Sequence, residues 1–460
     1  MDHKRGSFSG KIGFVLSAAG ASVGLGNIWR FPYLAAKYGG AIFLLVYIIL
    51  AMTFGYTMII AETSIGRMTG KSPVGAFNTF GSSGWLKFGG WINAIIPILI
   101  VPYYSVIGGW VVKYLAEYVL GHGSQLAADG YFGSFISNGV STELCFVIFA
   151  ALTLAVIFAG VENGIERVSK IMMPILVVLS LIIAVYSVTR PGALEGVKYF
   201  LVPNLDNFSW MTVVSAMGQM FYSLSIAMGI LITFGSYMKK DVSIESSTRN
   251  VEVFDTAIAI MAGLMIIPAV FAFSGGDPGA LKAGPSLMFI TIPKVFDSMG
   301  FGTVIGIAFF LLVLFAALTS SISLIEGVVA FLTERFGWKR KPTTIIVCTL
   351  MFLIGCLYTM SQAAFNIKGI WFDFANGVSF PIFGDFMEFL TDRLMIPLCA
   401  LGVCIFTGWI WKPANAVHEI ELDGKPFKLA KVYSVLVKYV APISILLIIV
   451  ASFVTGTTLS

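Results

Sequence analysis

The sequence is poor in charge: Asp, Glu, Lys and Arg supply only 12% of its 460 residues, about half the share found in soluble domains. A water-soluble fold, whose surface needs those groups, is excluded. Histidine is scarce too: His3, His122 and His418 fall in the N-terminal tail and loops, and no HExxH or GxSxG stretch occurs. A zinc peptidase or a serine hydrolase lacks its essential groups here, and an enzyme is not expected. The five cysteines, Cys145, Cys348, Cys356, Cys399 and Cys404, lie in apolar segments without CxxC spacing. They read as small core residues rather than a disulfide frame or metal cluster. No low-complexity stretch, long hydrophilic region or break in composition divides the chain, so residues 1–460 read as one membrane domain. A cleavable signal peptide is not expected, because the first apolar run is too long for one.

What is abundant is apolar sequence, at 57%. Runs of about 18 residues or more, each long enough to cross roughly 30 Å of hydrocarbon as a helix, recur over the whole length. They fall at 11–37, 41–66, 89–119, 143–160, 168–189, 209–238, 251–273, 301–333, 343–360, 385–411 and 433–455. None alternates in the short segments of a β-barrel, and helices satisfy their own backbone in lipid. The expected fold is an all-α polytopic membrane protein with about 11 transmembrane helices.

Basic residues divide unevenly. With a cytoplasmic N-terminus, Lys4, Arg5, Lys11, Arg67, Lys71, Lys87, Arg167, Lys239, Lys240, Arg335, Lys339 to Lys341 and Lys412 are among those facing inward. The outward loops then hold Arg190, Lys198, Lys282, Lys294 and Lys368. That asymmetry sets the orientation, and an odd span count leaves the C-terminus outside. The basic residues thus report topology, and no nucleic-acid footprint is present. The outer connections 190–208, 274–300 and 361–384 carry Pro, Gly and aromatic residues and are expected to pack over the outer face.

Two spans look broken. Gly20-Ala21-Ser22-Val23-Gly24-Leu25-Gly26-Asn27 interrupts the first at its middle, and Gln219 to Gly229 brings hydroxyls and a glycine to a similar depth in the sixth. Gly and Ser also serve close helix packing. Their matched positions in two halves of five helices, however, are the sequence mark of a transporter's binding site, where unwound backbone offers carbonyls to a cation and helix N-termini to an anion. The eighth span adds Thr319-Ser320-Ser321. Such hydroxyls can bond their own preceding carbonyls, but beside freed carbonyls they are also ligands for a hard cation such as sodium. Acids inside a bilayer are costly and functional by default. Glu62, Asp255 and Glu326 lie within spans, with Asp385 and Glu388 near an outer end, and Asp255 is best placed to balance a buried cation.

Gly20 to Pro32 (GASVGLGNIWRFP), Glu62 with Gly66-Arg67, Tyr103-Tyr104, Gly218-Gln219 and Leu318-Thr319-Ser320-Ser321 together resemble the neurotransmitter:sodium symporter family, in its prokaryotic amino-acid branch. The resemblance runs from about Arg5 to the eleventh span. It implies the leucine-transporter fold: a 5+5 inverted repeat with broken helices 1 and 6, residues 11–189 and 209–411 forming the halves and 433–455 an additional helix. One sodium is then implied at the carbonyls of Gly20, Val23 and Ala316 with the hydroxyls of Thr319 and Ser320. A second is implied at the Ser22 carbonyl, Asn27, Ser223 and Asp255. The implied substrate pocket takes Ser22, Leu25, Gly26, Ile100, Tyr104, Tyr222, Ser223, Ser225, Met228, Ser320 and Leu324. An outer gate would pair Arg30 with Asp385, or alternatively Asp373, over Tyr104 and Tyr222. An inner gate would pair Arg5 with Glu334 near Tyr237.

Departures from the family pattern sharpen the expectation. Asp255 stands where Asn is common, although a one-residue slip would put Phe254 there. Ala259 replaces the serine of chloride-dependent members, and Gly24 replaces the aspartate that holds the amine in monoamine carriers. Met228 stands for a Phe and offers a mobile wall. The implied activity is chloride-independent, sodium-driven symport of a neutral, hydrophobic or aromatic α-amino acid by alternating access. The implied setting is a prokaryotic inner membrane, and the implied functional unit is a monomer. The alternative is a sodium-dependent sensor or channel of the same fold that does not concentrate its ligand.

Overall fold

The computed structural model describes residues 6–81, 83–282, 284–363, 368–373, 377–379 and 382–455. Among them nine helices are long and apolar enough to cross a membrane. They are α3 (Ala41–Thr69), α4 (Gly84–Val119), α5 (Gly139–Phe158), α6 (Val161–Val188), α9 (Ile244–Ser274), α10 (Gly302–Phe336), α11 (Arg340–Gln362), α12 (Phe383–Ile410) and α14 (Ala430–Ala451). A tenth crossing is the pair α1 (Lys11–Ser22) and α2 (Gly26–Lys37), bent by 56° between them. The sixth segment forms α7 (Trp210–Ser223) and α8 (Ile230–Gly235) around an unwound Leu224–Gly229. Each piece alone is too short to span, and counting them as one broken crossing brings ten to the expected eleven.

The helices outrun their apolar windows where a cap extends them. α9 begins at Ile244 rather than 251, because the Ser243 hydroxyl accepts the Ser246 amide and starts the helix in a polar turn. In the 361–384 connection, β1 (Trp371–Asp373) pairs antiparallel with β2 (Gly377–Ser379), and Lys368 bridges to Ile382. On the N-terminal side, α13 (Pro413–Ile420) is latched: Arg67 Nε meets Glu419 Oε1 at 2.9 Å, Lys240 Nζ meets the same oxygen at 2.8 Å, and Arg67 Nη1 donates to the Val242 carbonyl at 2.6 Å.

The centre of the molecule is α10, whose residues Ala316 to Phe331 are all buried. It packs against α1, α4 and α6. The break between α1 and α2 follows from how closely other groups approach it. A Cβ at Gly24 would stand 2.7 Å from Ser320 Oγ and 2.9 Å from Tyr104 Oη, and one at Gly26 would stand 2.7 Å from the Tyr222 ring. In the sixth segment Ser225 (φ 52°) and Ala227 (φ 62°) take left-handed backbone, at a cost of about 1–2 kcal/mol each. Two bonds hold them: Glu62 Oε1 accepts the Ala227 amide at 2.7 Å, and Ser225 Oγ donates to the Ala21 carbonyl at 2.9 Å.

Candidate substrate and cation site

Between the two breaks lies a small cavity. All the residues expected in the pocket line it: Ser22, Leu25, Gly26, Ile100, Tyr104, Tyr222, Ser223, Ser225, Met228, Ser320 and Leu324, joined by Ala21, Gly24 and Asn27. One wall is polar, made of unwound backbone, hydroxyls and the Tyr104 phenol. The other is apolar, made of Ile100, Met228 and Leu324. Tyr104 Oη receives the Leu25 amide at 3.2 Å, which frees the Ala21 carbonyl from its helical partner.

At one end, α1 and α10 bring oxygen atoms together. Ser320 Oγ lies 3.3 Å from the Gly20 carbonyl, 3.2 Å from that of Ala21 and 3.3 Å from that of Val23. One hydroxyl has one proton, so it cannot satisfy three acceptors. The surplus of lone pairs suits a hard cation. Thr319 Oγ1 stands 3.2 Å from the Ala316 carbonyl and 2.9 Å from that of Phe315, with the Thr319 side chain facing Gly20. The five groups expected for one sodium are thus brought into one neighbourhood, with the Ala21 carbonyl as a further member that its side chain gave no reason to name.

At the other end Asp255 is fully buried. Its Oδ1 accepts from Asn27 Nδ2 at 2.8 Å and its Oδ2 from Tyr47 Oη at 3.0 Å, while Ser223 Oγ lies 3.0 and 2.9 Å from the two oxygens. Asn27 Nδ2 also reaches Ser223 Oγ at 2.9 Å, and Asn27 Oδ1 accepts the Gly24 amide at 3.1 Å. A buried carboxylate held only by neutral donors keeps unbalanced negative charge, which a cation can neutralise. The register is decided here: Asp255 faces Asn27 and Ser223, whereas Phe254 is a half-buried residue packed on the hydrophobic core. Tyr47 and Gln219, whose Nε2 donates to the Gly26 carbonyl at 3.1 Å, complete this shell. Tyr47 carried no signal, since one tyrosine in an apolar run looks like any other.

A vestibule of about 1100 Å³ lies above the cavity and shares Leu25, Tyr104 and Tyr222 with it, so these side chains form the partition. Arg30 stacks on Tyr222 with its guanidinium carbon 4.8 Å from the ring centroid. Arg30 and its expected partner Asp385 line this vestibule together with Glu388 and Asp392. Arg30 also lines a second, deeper cavity wall with Asp392. Asp385, Glu388 and Asp392 recur at three and four residues, which puts them along one face of α12, with Asp385 farthest out. Asp392-Arg393 inside the tenth span was a legible signal that the apolar reading of 385–411 passed over. Asp373 lies on β1.

On the inner side Arg5 lies outside the described residues. Its expected partner Glu334 accepts the Ser72 amide at 2.6 Å. A second buried network, unassigned from sequence, joins Tyr237 Oη to Glu326 Oε1 at 2.7 Å and Arg340 Nη1 to the same oxygen at 2.8 Å.

Two broken helices facing each other, with freed carbonyls, hydroxyls and a buried carboxylate around a shared cavity, define an ion-coupled secondary transporter. Comparison with known proteins gives the family. The profile of the Sodium:neurotransmitter symporter family matches residues 5–122 and 134–460, and the chain belongs to that family, whose members are transporters rather than enzymes. It is 33% identical to the uncharacterized sodium-dependent transporter YhdH of Bacillus subtilis over 97% of either chain. It is 32% identical to MJ1319 of Methanocaldococcus jannaschii, described in the same words, over 91% of this chain and 86% of that one. Among solved structures, MhsT in complex with L-phenylalanine superposes with a TM-score of 0.86 at 35% identity, over 98% of this chain and all of that one.

The oxygen cluster at Ser320 makes one quantitative claim. Thr319→Val keeps shape and removes one hydroxyl, and should raise the sodium concentration for half-maximal ligand binding about tenfold, or about 1.4 kcal/mol. Equilibrium binding against a sodium titration reads this, and an unchanged sodium dependence would take Thr319 out of the cation shell.

Proposed function

We propose that the chain carries a neutral, hydrophobic or aromatic α-amino acid into a prokaryotic cell, driven by sodium and without chloride, with the N-terminus cytoplasmic and the C-terminus outside. The observation that carries this is the adjacency of an unbalanced buried carboxylate, Asp255, to a cavity with one polar and one apolar wall. Sodium at Asn27, Ser223, Asp255 and the Ser22 carbonyl presents positive charge to a substrate carboxylate, which the Tyr104 hydroxyl also meets. Gly24 leaves room for that carboxylate, and the Ile100, Met228 and Leu324 wall accepts an apolar side chain. The second sodium, at Gly20, Val23, Ala316, Thr319 and Ser320, ties α1 to α10 and so couples ion occupancy to closure of the first span.

Chloride independence rests on Asp255 as a permanent internal anion and on Ala259, which lacks a hydroxyl. The repeats 11–189 and 209–411 then move against each other, with Tyr104, Tyr222, Arg30 and Asp392 closing the outer path and Arg5 with Glu334 the inner one. A monomer contains every group the mechanism needs. The assignment of phenylalanine to MhsT agrees with an aromatic or branched substrate.

Uptake of labelled neutral amino acids into proteoliposomes, with and without an inward sodium gradient, tests the reading. The expected outcome is sodium-dependent accumulation of a hydrophobic amino acid that is unchanged when gluconate replaces chloride. Binding without accumulation would make the protein a sensor or channel instead.

A further inference from the structure

A second large cavity lies far from the substrate site, on the lipid-facing side between the N-terminal part of α4 and the C-terminal part of α12. It is a groove of about 1150 Å³ whose walls include Trp85, Phe88 and Ile92 on one side and Leu401, Ile405 and Ile410 on the other. Trp85 is 83% exposed, Phe88 55% and Ile410 49%, so the groove opens to the bilayer rather than into the protein core. Its floor is bare at Gly402, where an added Cβ would meet open space.

The charge around the groove has one sign. Lys87, exposed, lies in the chain between the lining residues Leu86 and Phe88, and Lys412, also exposed, follows the lining residue Ile410 by two positions. No Asp or Glu occurs from residue 63 to 116 or from 393 to 418, so neither wall contributes a negative charge. Ser83, at the mouth, caps α4, and the amides of a 36-residue helix begin there. Trp85 at one wall and Trp409 beside the other, both exposed, mark this end as the membrane interface. The groove therefore combines an acyl-sized apolar slot with a cationic mouth at headgroup depth.

We propose that this groove is a specific site for one anionic phospholipid of the leaflet on the N-terminal side, with an acyl chain between α4 and α12 and the phosphate at Lys87 and Lys412. Charge complementarity selects the occupant: a neutral lipid gains the apolar contact but nothing from the two ammonium groups, which attract an anionic headgroup.

Native mass spectrometry of the purified full chain, delipidated in detergent and titrated with phosphatidylglycerol or phosphatidylcholine, tests it. The unmodified protein should retain one phosphatidylglycerol at least tenfold more firmly than phosphatidylcholine. Gly402→Phe, which fills the slot from its floor, should abolish that retained adduct while sodium-dependent amino-acid binding stays normal. Lys87→Gln with Lys412→Gln should erase the preference between the two lipids. No preference in the unmodified protein would overturn the proposal without recourse to any variant. So would an unchanged adduct in Gly402→Phe, equal protection by glycerol phosphate alone, or loss of the adduct through dimer formation.

Discussion

Asp255→Ala is expected to reduce sodium-dependent uptake to background and to weaken sodium-dependent ligand binding more than a hundredfold. The carboxylate is the common acceptor for Asn27, Tyr47 and Ser223 in a fully buried shell. Its removal strands three polar groups, each at about 1–3 kcal/mol, and deletes the only ionised ligand of the proposed cation. Asp255→Asn should fall between, since it keeps an oxygen but loses the charge. Flux into sodium-loaded and sodium-free proteoliposomes, with binding measured on the same preparations, separates loss of transport from loss of fold. Wild-type accumulation with unaltered sodium dependence in Asp255→Ala would dismiss the carboxylate from the coupling site.

The second large effect is expected at Glu62, which touches no part of the cavity. Its Oε1 holds the amide of Ala227, one of the two residues of the sixth-segment break, with Ser225, that take left-handed backbone. Glu62→Ala leaves that buried amide without an acceptor, at about 1–3 kcal/mol, and removes the brace that keeps the strained turn in place. Substrate affinity should fall at least tenfold, and the purified protein should unfold at a lower temperature. Glu62→Gln retains an acceptor oxygen and should stay near wild type in both assays. That contrast marks Glu62 as a positioning residue, and equal damage from both variants would refute the role.

Much of the site was legible because it is local in sequence. The glycines and Asn27 at the first break, and the consecutive hydroxyls of the eighth span, announce themselves inside apolar runs where polar groups are expensive. At the outer gate the sequence reading took one acid where the structure lines the vestibule with three. Asp385 opens the tenth span, and Glu388 and Asp392, three and seven residues further along the same face of α12, share the vestibule wall with it and Arg30. Tyr47 and Glu62 act across helix interfaces, and no spacing within one span reveals a partner on another. The extent of the sixth-segment break was also hidden: Ser225 and Ala227 do not favour positive φ by themselves, and only contacts from α1 and α3 impose it. Charges at Arg67, Glu419 and Lys240 are far apart in the chain, so their joint latch on α13 could not be foreseen.

The carbonyls of Gly20, Ala21 and Val23 crowd the Ser320 hydroxyl, and every amino acid contributes such an oxygen whatever its side chain. No point mutation can delete these oxygens from the gene. Variation at positions 20 to 23 is filtered by bulk alone, whereas at Thr319 and Ser320 it is filtered by chemistry. Descendants of this sequence are therefore free to exchange one small residue for another along the first break while the hydroxyls opposite stand still.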